Sequence, residues 1–469
     1  MKKKIFLTCL LVSFLLIFSL TTLAKDVPTL KWITVGNGMP ANYDKWQAEI
    51  NQYLEKEIGV HLEIEVVSWG DWENRRNIVI NSGEYFDLIF TDASRYTNEV
   101  KIGAFKDITK LVKENASELD AYIPDSYWKA VKVNNKIYSV PTYKDSSLTN
   151  YLVWDKNIVD KYNVAYQEDT SLASLTDDLK RIKKGENKSP LLLAQEGLTA
   201  ITNQYDNLGT GLRFLGVQVR DQDRKVVNLL DQKEFVSKLE ILHQWYKAGI
   251  INSDAPIITE VPQYRILQIA QGWSTAAKTV WGPNMGTEAV AVQYSAPIVS
   301  NRTVRGSLNA IYSGSRYPKK ALELLELANL DPYFRDSLYY GLEGDNFVYN
   351  QAGKIERLNN NWGMAGYTQA TFFTVSQLAE QEVNQWQEVQ ELNEKAFPSV
   401  MLGFDMDTSD YQNELANCIS IYNKYKSILL TGSKAPKPLI AKIKAELEAA
   451  GFNKLQAEAQ RQVDEFYNN

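Results

Sequence analysis

The amino-acid sequence predicts an α/β protein of two lobes. Strand-like and helix-like apolar segments alternate through its N-terminal part, the pattern of a parallel sheet with right-handed crossovers. At 469 residues the chain is too long for one compact core. A tight hairpin at Asn134-Asn135, flanked by Val131, Val133, Ile137 and Val140, then feeds a proline-stiffened extended segment, Val140–Asp145.

Leu30–Val35 reads as a short apolar strand that breaks at Gly36-Asn37-Gly38-Met39-Pro40, and Trp46, Ile50, Tyr53 and Leu54 then recur at helical spacing. Val60–Val67 alternates, with Leu62, Ile64 and Val66 on one face. Asp71–Asn81 is a second helix and Phe86–Phe90 a buried third strand. Ligands of such sheets sit outside the carboxyl ends of the strands. The loops Gly36–Asn42 and Thr91–Tyr96 are therefore expected to turn polar groups, Asn37 and Asp92 among them, toward a cleft. Further on, Tyr151–Trp154 is a strand and Leu172–Lys183 a helix. Asp221–Lys225 is a hairpin turn whose Asp-x-Asp start is that of a calcium loop. Lys225 and Val226 stand where such a loop needs a ligand and a glycine, so no metal is expected. Phe235–Lys247 is a helix, Ala289–Val292 and Ala296–Val299 are strands, Leu308–Tyr312 returns to the first lobe, and Pro318–Asn329 is a strongly periodic helix. From about Thr374 the chain reads as mostly helical, interrupted at Gly403–Asp407 and at Gly432–Pro438.

The first 24 residues carry an export signal: a basic stretch at Lys2–Lys4, an apolar run at Ile5–Leu20, and small residues at Thr22-Leu23-Ala24. The run is shorter than the roughly 20 residues of a membrane span. Cys9 lies inside it rather than at the cleavage point, so no lipobox cysteine is expected. The mature chain is expected to be soluble, in the periplasm or secreted. Losing three lysines takes the net charge from −6 to −9, a surface that repels nucleic acid. Cys418 is then the only cysteine, in an apolar stretch, which fits a core residue and excludes an internal disulfide framework.

Several segments carry a family resemblance: Gly83–Asp87, Asn135–Pro141, Trp154-Asp155 with Val159–Asn163, Leu338–Gly344, Leu402–Asp405, and Ala450-Gly451-Phe452 with Gln456–Glu465. Through them the chain resembles extracellular solute-binding proteins of family 1, the receptors of carbohydrate ABC importers, and within these the LplA-like branch with a lipoprotein-type C-terminal region. The resemblance implies a two-lobed, periplasmic-binding-protein-like fold of type II. Each lobe would be a mostly parallel sheet flanked by helices, with extra C-terminal helices. It implies a first lobe of residues 25–144 plus 306–357 and a second of 145–305 plus 358–469. Hinge segments would lie near Tyr143, Ser300–Ser307 and Ile355–Asn361. The implied partners are an oligosaccharide ligand and the ABC permease subunits with their ATPase. The protein would be a monomer, not membrane-inserted, with no cofactor. Relatives that take uronate oligosaccharides can carry a calcium loop after the first helix of the second lobe. Here that region reads Lys184–Ser189 with one carboxylate, so calcium is not carried over.

Sugars present apolar C–H faces ringed by hydroxyls, so a receptor needs aromatic plates edged by amides, carboxylates and guanidinium groups. Four places offer that mix: Tyr205 and Asp206; Trp273 through Lys278, Trp281 and Asn284; Trp362 and Tyr367; and Tyr143, Lys144 and Asp145 at the crossing. Arg213, Arg302 and Arg305, with Lys144 and Lys278, fall near these segments and favour a short uronate-containing oligosaccharide, since arginine grips a sugar acid with two parallel hydrogen bonds. A neutral oligosaccharide is the competing reading, because surface arginine and lysine are mostly just solvated. The rival class is a secreted polysaccharide-active enzyme, a glycosidase or lyase, with Asp405/Asp407 or Glu343/Asp345 as paired carboxylates. Both pairs fit better as turn chemistry, and the two histidines, His61 and His243, have no partner at catalytic or metal spacing. A ligand carrier, not an enzyme, is expected.

Overall fold

A computed structural model of the protein describes residues 27–167 and 170–468. The expected export signal lies outside the described residues. In chain order the main strands are β1 (Thr29–Gly36), β2 (His61–Ser68), β3 (Leu88–Thr91), β4 (Ser139–Pro141), β5 (Asn150–Asp155), β6 (Leu267–Gln271), β7 (Ala289–Gln293) and β8 (Leu308–Ile311).

The first lobe is built on a five-stranded sheet of order β2-β1-β3-β8-β4. Here β1 runs parallel to β2 and β3, while β8 returns antiparallel to both β3 and β4. Leu30, Trp32, Ile33 and Val35 of β1 are buried, and the helix Tyr43–Ile58 covers them with Trp46, Ile50 and Leu54. That helix stops at Gly59, whose φ of 66° is the left-handed conformation a helix end needs. The helix Pro318–Leu330 buries Ala321, Leu322, Leu324 and Leu325 in the same core, as its spacing predicts. The asparagine hairpin is present: Lys132–Val133 pairs with Lys136–Ile137, and Asn134 and Asn135 take φ of 50° and 63°.

The second lobe corrects the expectation of a mostly parallel sheet. Its β5 is central, and both β6 and β7 flank it antiparallel. A second sheet, Tyr205–Asp206, Leu215–Gln218 and Val226–Asn228, is antiparallel throughout. Strands β6 and β7 run the same way, joined across Ala277–Met285, with β5 inserted between them. Strand–helix alternation in sequence therefore does not give strand direction here. The C-terminal helices Gln412–Leu430, Pro436–Ala449 and Phe452–Asn468 pack on this lobe, and Cys418, Tyr422, Ile443, Leu455 and Val463 join its core.

Three crossings join the lobes. Pro141–Asn150 and Val299–Leu308 run side by side: Thr142 donates its amide to the Ser307 carbonyl at 3.0 Å, and Leu148 to Ile298 at 2.7 Å. The third, residues 373–398, follows Phe372, whose amide reaches the Tyr143 carbonyl at 3.2 Å, and ends where Phe397 and Pro398 pair with Ile298 and Val299. Ile355–Asn361, expected as a hinge, lies elsewhere. Ile355–Arg357 pairs with Phe347–Tyr349 on the first lobe, and Trp362, Met364, Tyr367, Ala370 and Phe373 pack against the first core. The segment after residue 358, assigned above to the second lobe, thus returns to the first before crossing.

Candidate functional site

A cavity of about 590 Å³ opens in the second lobe against the first two crossings. Lys144 and Asp145 come to its rim from the crossing after β4, and Ser300, Arg302 and Gly306 from the crossing before β8. Gln268 and Gln271 of β6, Tyr205 and Asp206, and Arg213 and Arg265 line the second-lobe walls. The volume falls in the range of small-ligand sites, roughly 300–1,000 Å³.

The carboxylates here are engaged by the protein itself. Asp145 is paired with the Lys144 ammonium at 2.7 Å and Glu196 with Lys426 at 2.6 Å. Asp206 accepts from the Leu208 amide and the Ser399 hydroxyl, each at 3.0 Å. Burial raises its proton affinity above the ordinary carboxylate range, and these two donors only partly oppose that. The guanidiniums are less well matched. Arg213 donates to the Thr202 hydroxyl at 3.2 Å, while the buried Nε of Arg265 has no partner. Burial holds Arg265 and Arg302 below the usual arginine value, and the neighbouring Arg213 charge lowers Arg302 further.

Lys144, on the cavity rim, links the cavity to an aromatic plate on the first lobe. Lys144 Nζ lies 5.8 Å above the Tyr367 ring, and Trp69 stacks on Tyr367 at 6.2 Å with 13° between the planes. Trp69 is 49% exposed, and its indole N–H donates to Asn37 Oδ1 at 3.1 Å. Asn37 itself is fixed by donating its amide to the Gly363 carbonyl at 2.8 Å. Asp92 accepts from the Ser94 amide, and its charge, with that of Asp145, adds to the burial that raises the Tyr367 phenol. Asn37, Trp69 and Asp92 all follow carboxyl ends of β1, β2 and β3, as the topology of a parallel sheet requires.

Of the residues nominated from sequence, Lys144, Asp145, Tyr205, Asp206 and Arg213 line the cavity, and Asn37, Asp92 and Tyr367 gather at the plate. The others are placed elsewhere. Tyr143 is buried edge-on to Tyr122, Tyr127 and Phe373, a packing role that raises its phenol to about 12 through desolvation. Trp362 packs on Trp46 at 5.4 Å and donates to the Leu338 carbonyl. Trp281 is buried against Tyr151. Trp273 packs on Trp386, and Lys278 and Asn284 are exposed away from the cavity lining. Arg305 is 3% exposed and bound to Asp405 and to backbone carbonyls. Trp69 and Arg265 were missed. The strand-end rule that gave Asn37 and Asp92 also points to Trp69, directly after β2, whereas nothing local marks Arg265.

The model of the bacterial extracellular solute-binding protein family matches residues 37–329, and that of a domain of unknown function (DUF3502) matches residues 400–468. A carbohydrate ABC transporter substrate-binding protein of Streptococcus pneumoniae serotype 4 is 26% identical over 465 residues, covering 95% of this chain and 92% of that one. Among solved structures, the N-glycan transport solute binding protein NgtS from Streptococcus pneumoniae superposes with a TM-score of 0.84 at 24% identity, over 94% of this chain and 99% of that one. The same protein in complex with Man1GlcNAc gives 0.72 at 23% identity, over 94% and 100%. Among the described residues no helix is long and apolar enough to cross a membrane. The family match spans more than half the sequence and covers the first two crossings and the cavity against them: the chain belongs to the bacterial extracellular solute-binding proteins.

Proposed function

We propose that this protein is the substrate-binding component of a carbohydrate ABC importer, taking a short oligosaccharide, with uronate-bearing sugars ahead of neutral ones. The observation that carries the reading is that Lys144 both lines the cavity and lies over the Trp69–Tyr367 plate: hydrogen-bonding groups on one lobe, an aromatic face on the other, and the crossings between them. That combination suits the alternating apolar and hydroxylated surface of a sugar. The ligand binds one lobe, the lobes rotate about the crossings, and the closed form is read by permease subunits with their ATPase. Closure is driven by contacts that are better in the closed state. The same reading places the mature protein outside the cytoplasm as a monomer, and makes it a carrier. Asp405, one of the carboxylates an enzyme would need, is already occupied by Arg305, and Asp345 by Lys45.

A thermal-shift screen against neutral and uronic oligosaccharides tests the reading. At ~1 mM ligand and a Kd of ~1 μM the folded state gains about 4 kcal/mol, enough to raise the midpoint by several degrees. Absence of any shift across the panel sinks the carbohydrate assignment. Labelled oligosaccharides recovered intact separate a carrier from an enzyme, and a radius of gyration unchanged by bound ligand removes the closing step.

A further inference from the structure

The arginines of this chain are distributed in an informative way. Among the described residues, six of the fourteen pair with a carboxylate, as Arg75 does with Glu65 and Glu84. Four more lie over an aromatic ring, as Arg220 does over Phe397. Arg335 is buried and donates to the carbonyls of Gly366, Ala370 and Thr371. Three remain, Arg213, Arg265 and Arg302, and all three line the same cavity.

Their matching groups are missing. Arg213 has a hydroxyl, Arg265 keeps a buried N–H without an acceptor, and Arg302 faces the like charge of Arg213. The carboxylates of the cavity are turned to Lys144, to Lys426 and to the Leu208 amide and Ser399 hydroxyl. Drawing Arg213 and Arg302 out of water beside one another, and Arg265 into the wall of the same cavity, is unfavourable unless an anion completes the set. On a protein of net negative charge the cluster is the more distinctive.

We propose that Arg213, Arg265 and Arg302 form a seat for an anionic group carried on a sugar, a carboxylate or a sulfate ester, and that this seat sets the ligand preference of the protein. The proposal rests on the reading of the cavity as a carbohydrate site and specifies its substrate class. The fork geometry of guanidinium suits both oxyanions, so the two sources are separated by the experiment.

The test is calorimetric titration of the mature protein with gluco-, galacto- and manno-configured disaccharides, each offered as the neutral sugar, the uronate and the sulfate ester. The same titrations follow for Arg213→Gln, Arg265→Gln and Arg302→Gln. The wild-type protein should prefer a charged form at least tenfold. Each variant should lose about tenfold to a hundredfold on that form, the range of a charge-assisted hydrogen bond, and keep its affinity for the neutral form within about threefold. Preference for the uronate identifies a sugar acid, and preference for the ester a sulfated glycan. The charged-to-neutral ratio is taken within one variant, so a partial loss of fold does not imitate the effect. Equal wild-type affinity for charged and neutral sugars, or a ratio unmoved in all three variants, overturns the seat and leaves the carbohydrate reading standing. If no sugar binds in any form, both fall.

Discussion

The Arg305 guanidinium donates a 2.6 Å hydrogen bond to the Asp405 carboxylate, and this pair fastens the end of the second crossing to the C-terminal region. Both side chains are largely out of solvent, at 4% and 16% exposure. Arg305 also reaches the carbonyls of Ala130 and Lys132 in the first lobe and lies over the Tyr96 ring. One side chain thus joins both lobes. Breaking such a pair from one side leaves an uncompensated buried charge, so Arg305→Met should cost about 3 kcal/mol or more in urea unfolding. The double variant Arg305→Met/Asp405→Leu should recover part of the loss. Since Arg305 does not line the cavity, the charged-to-neutral sugar ratio should stay at its wild-type value, in contrast to Arg213→Gln.

Trp69 offers the cleanest test of the aromatic plate. Half-exposed, it can be changed with little damage to packing, while its ring is held flat on Tyr367 and pinned through Asn37. A sugar C–H face laid on this plate would lose about tenfold in affinity in Trp69→Ala. The thermal midpoint without ligand should move by no more than a degree or two. Ligand-dependent change in tryptophan emission should shrink markedly in Trp69→Phe. If affinity is untouched in Trp69→Ala, the plate is not part of the ligand site.

Asp206 carries a pH dependence of stability. Burial raises its pKa in the folded protein, so the folded state holds the proton more tightly than the unfolded state does. The stability it contributes is full below the ordinary carboxylate value and is lost as the pH rises through the raised one. At neutral pH the buried charge is therefore a cost. Asp206→Asn keeps an acceptor for the Leu208 amide and gives Ser399 a donor. It should raise the midpoint by about 2 °C at pH 7, with the gain fading as the pH falls toward about 4. A midpoint lower than wild type at pH 7 would show that the carboxylate is needed ionised.

What sequence could reveal followed from how local each cause is. The first three strands and the asparagine hairpin were legible because alternation and turn chemistry act within a few residues. Strand β6, Leu-Gln-Ile-Ala-Gln, went unseen because it is short and carries two glutamines, both of which line the cavity. The direction of β5 relative to its neighbours depends on a strand inserted from elsewhere in the chain, which no local pattern records. Trp281 reads as a cleft candidate because it and Trp273 stand in a stretch punctuated by glycine and proline, where tryptophan is costly to expose. In the structure Gly272 makes room for it: a Cβ there would sit 2.7 Å from the indole. The glycine serves packing, not a ligand. Arg213 was found through its turn, while Arg265 is distinguished only by lacking a partner, a property of the folded protein alone.

Asn393 governs the meeting point of the crossings. From the helix Gln385–Lys395 its side chain donates to the Lys144 carbonyl at 2.5 Å and accepts from the Ser147 amide at 2.9 Å, so one amide clamps the first crossing at both ends of a turn. Asn393 is 7% exposed, and truncating it leaves the Ser147 amide unpaired, at roughly 1–3 kcal/mol, and takes one of two donors from the Lys144 carbonyl, which the Ser146 amide still reaches at 2.8 Å. Asn393→Ala should therefore lower the thermal midpoint by several degrees. The effect should be local, with amide exchange accelerating across residues 144–148 and remaining slow in the strands β1 and β5. Because Lys144 and Asp145 stand on the cavity rim, a loosened turn should also weaken ligand binding severalfold without changing which sugars are preferred. Uniform acceleration of exchange across both lobes would instead mark Asn393 as an ordinary core residue with no particular hold on the hinge.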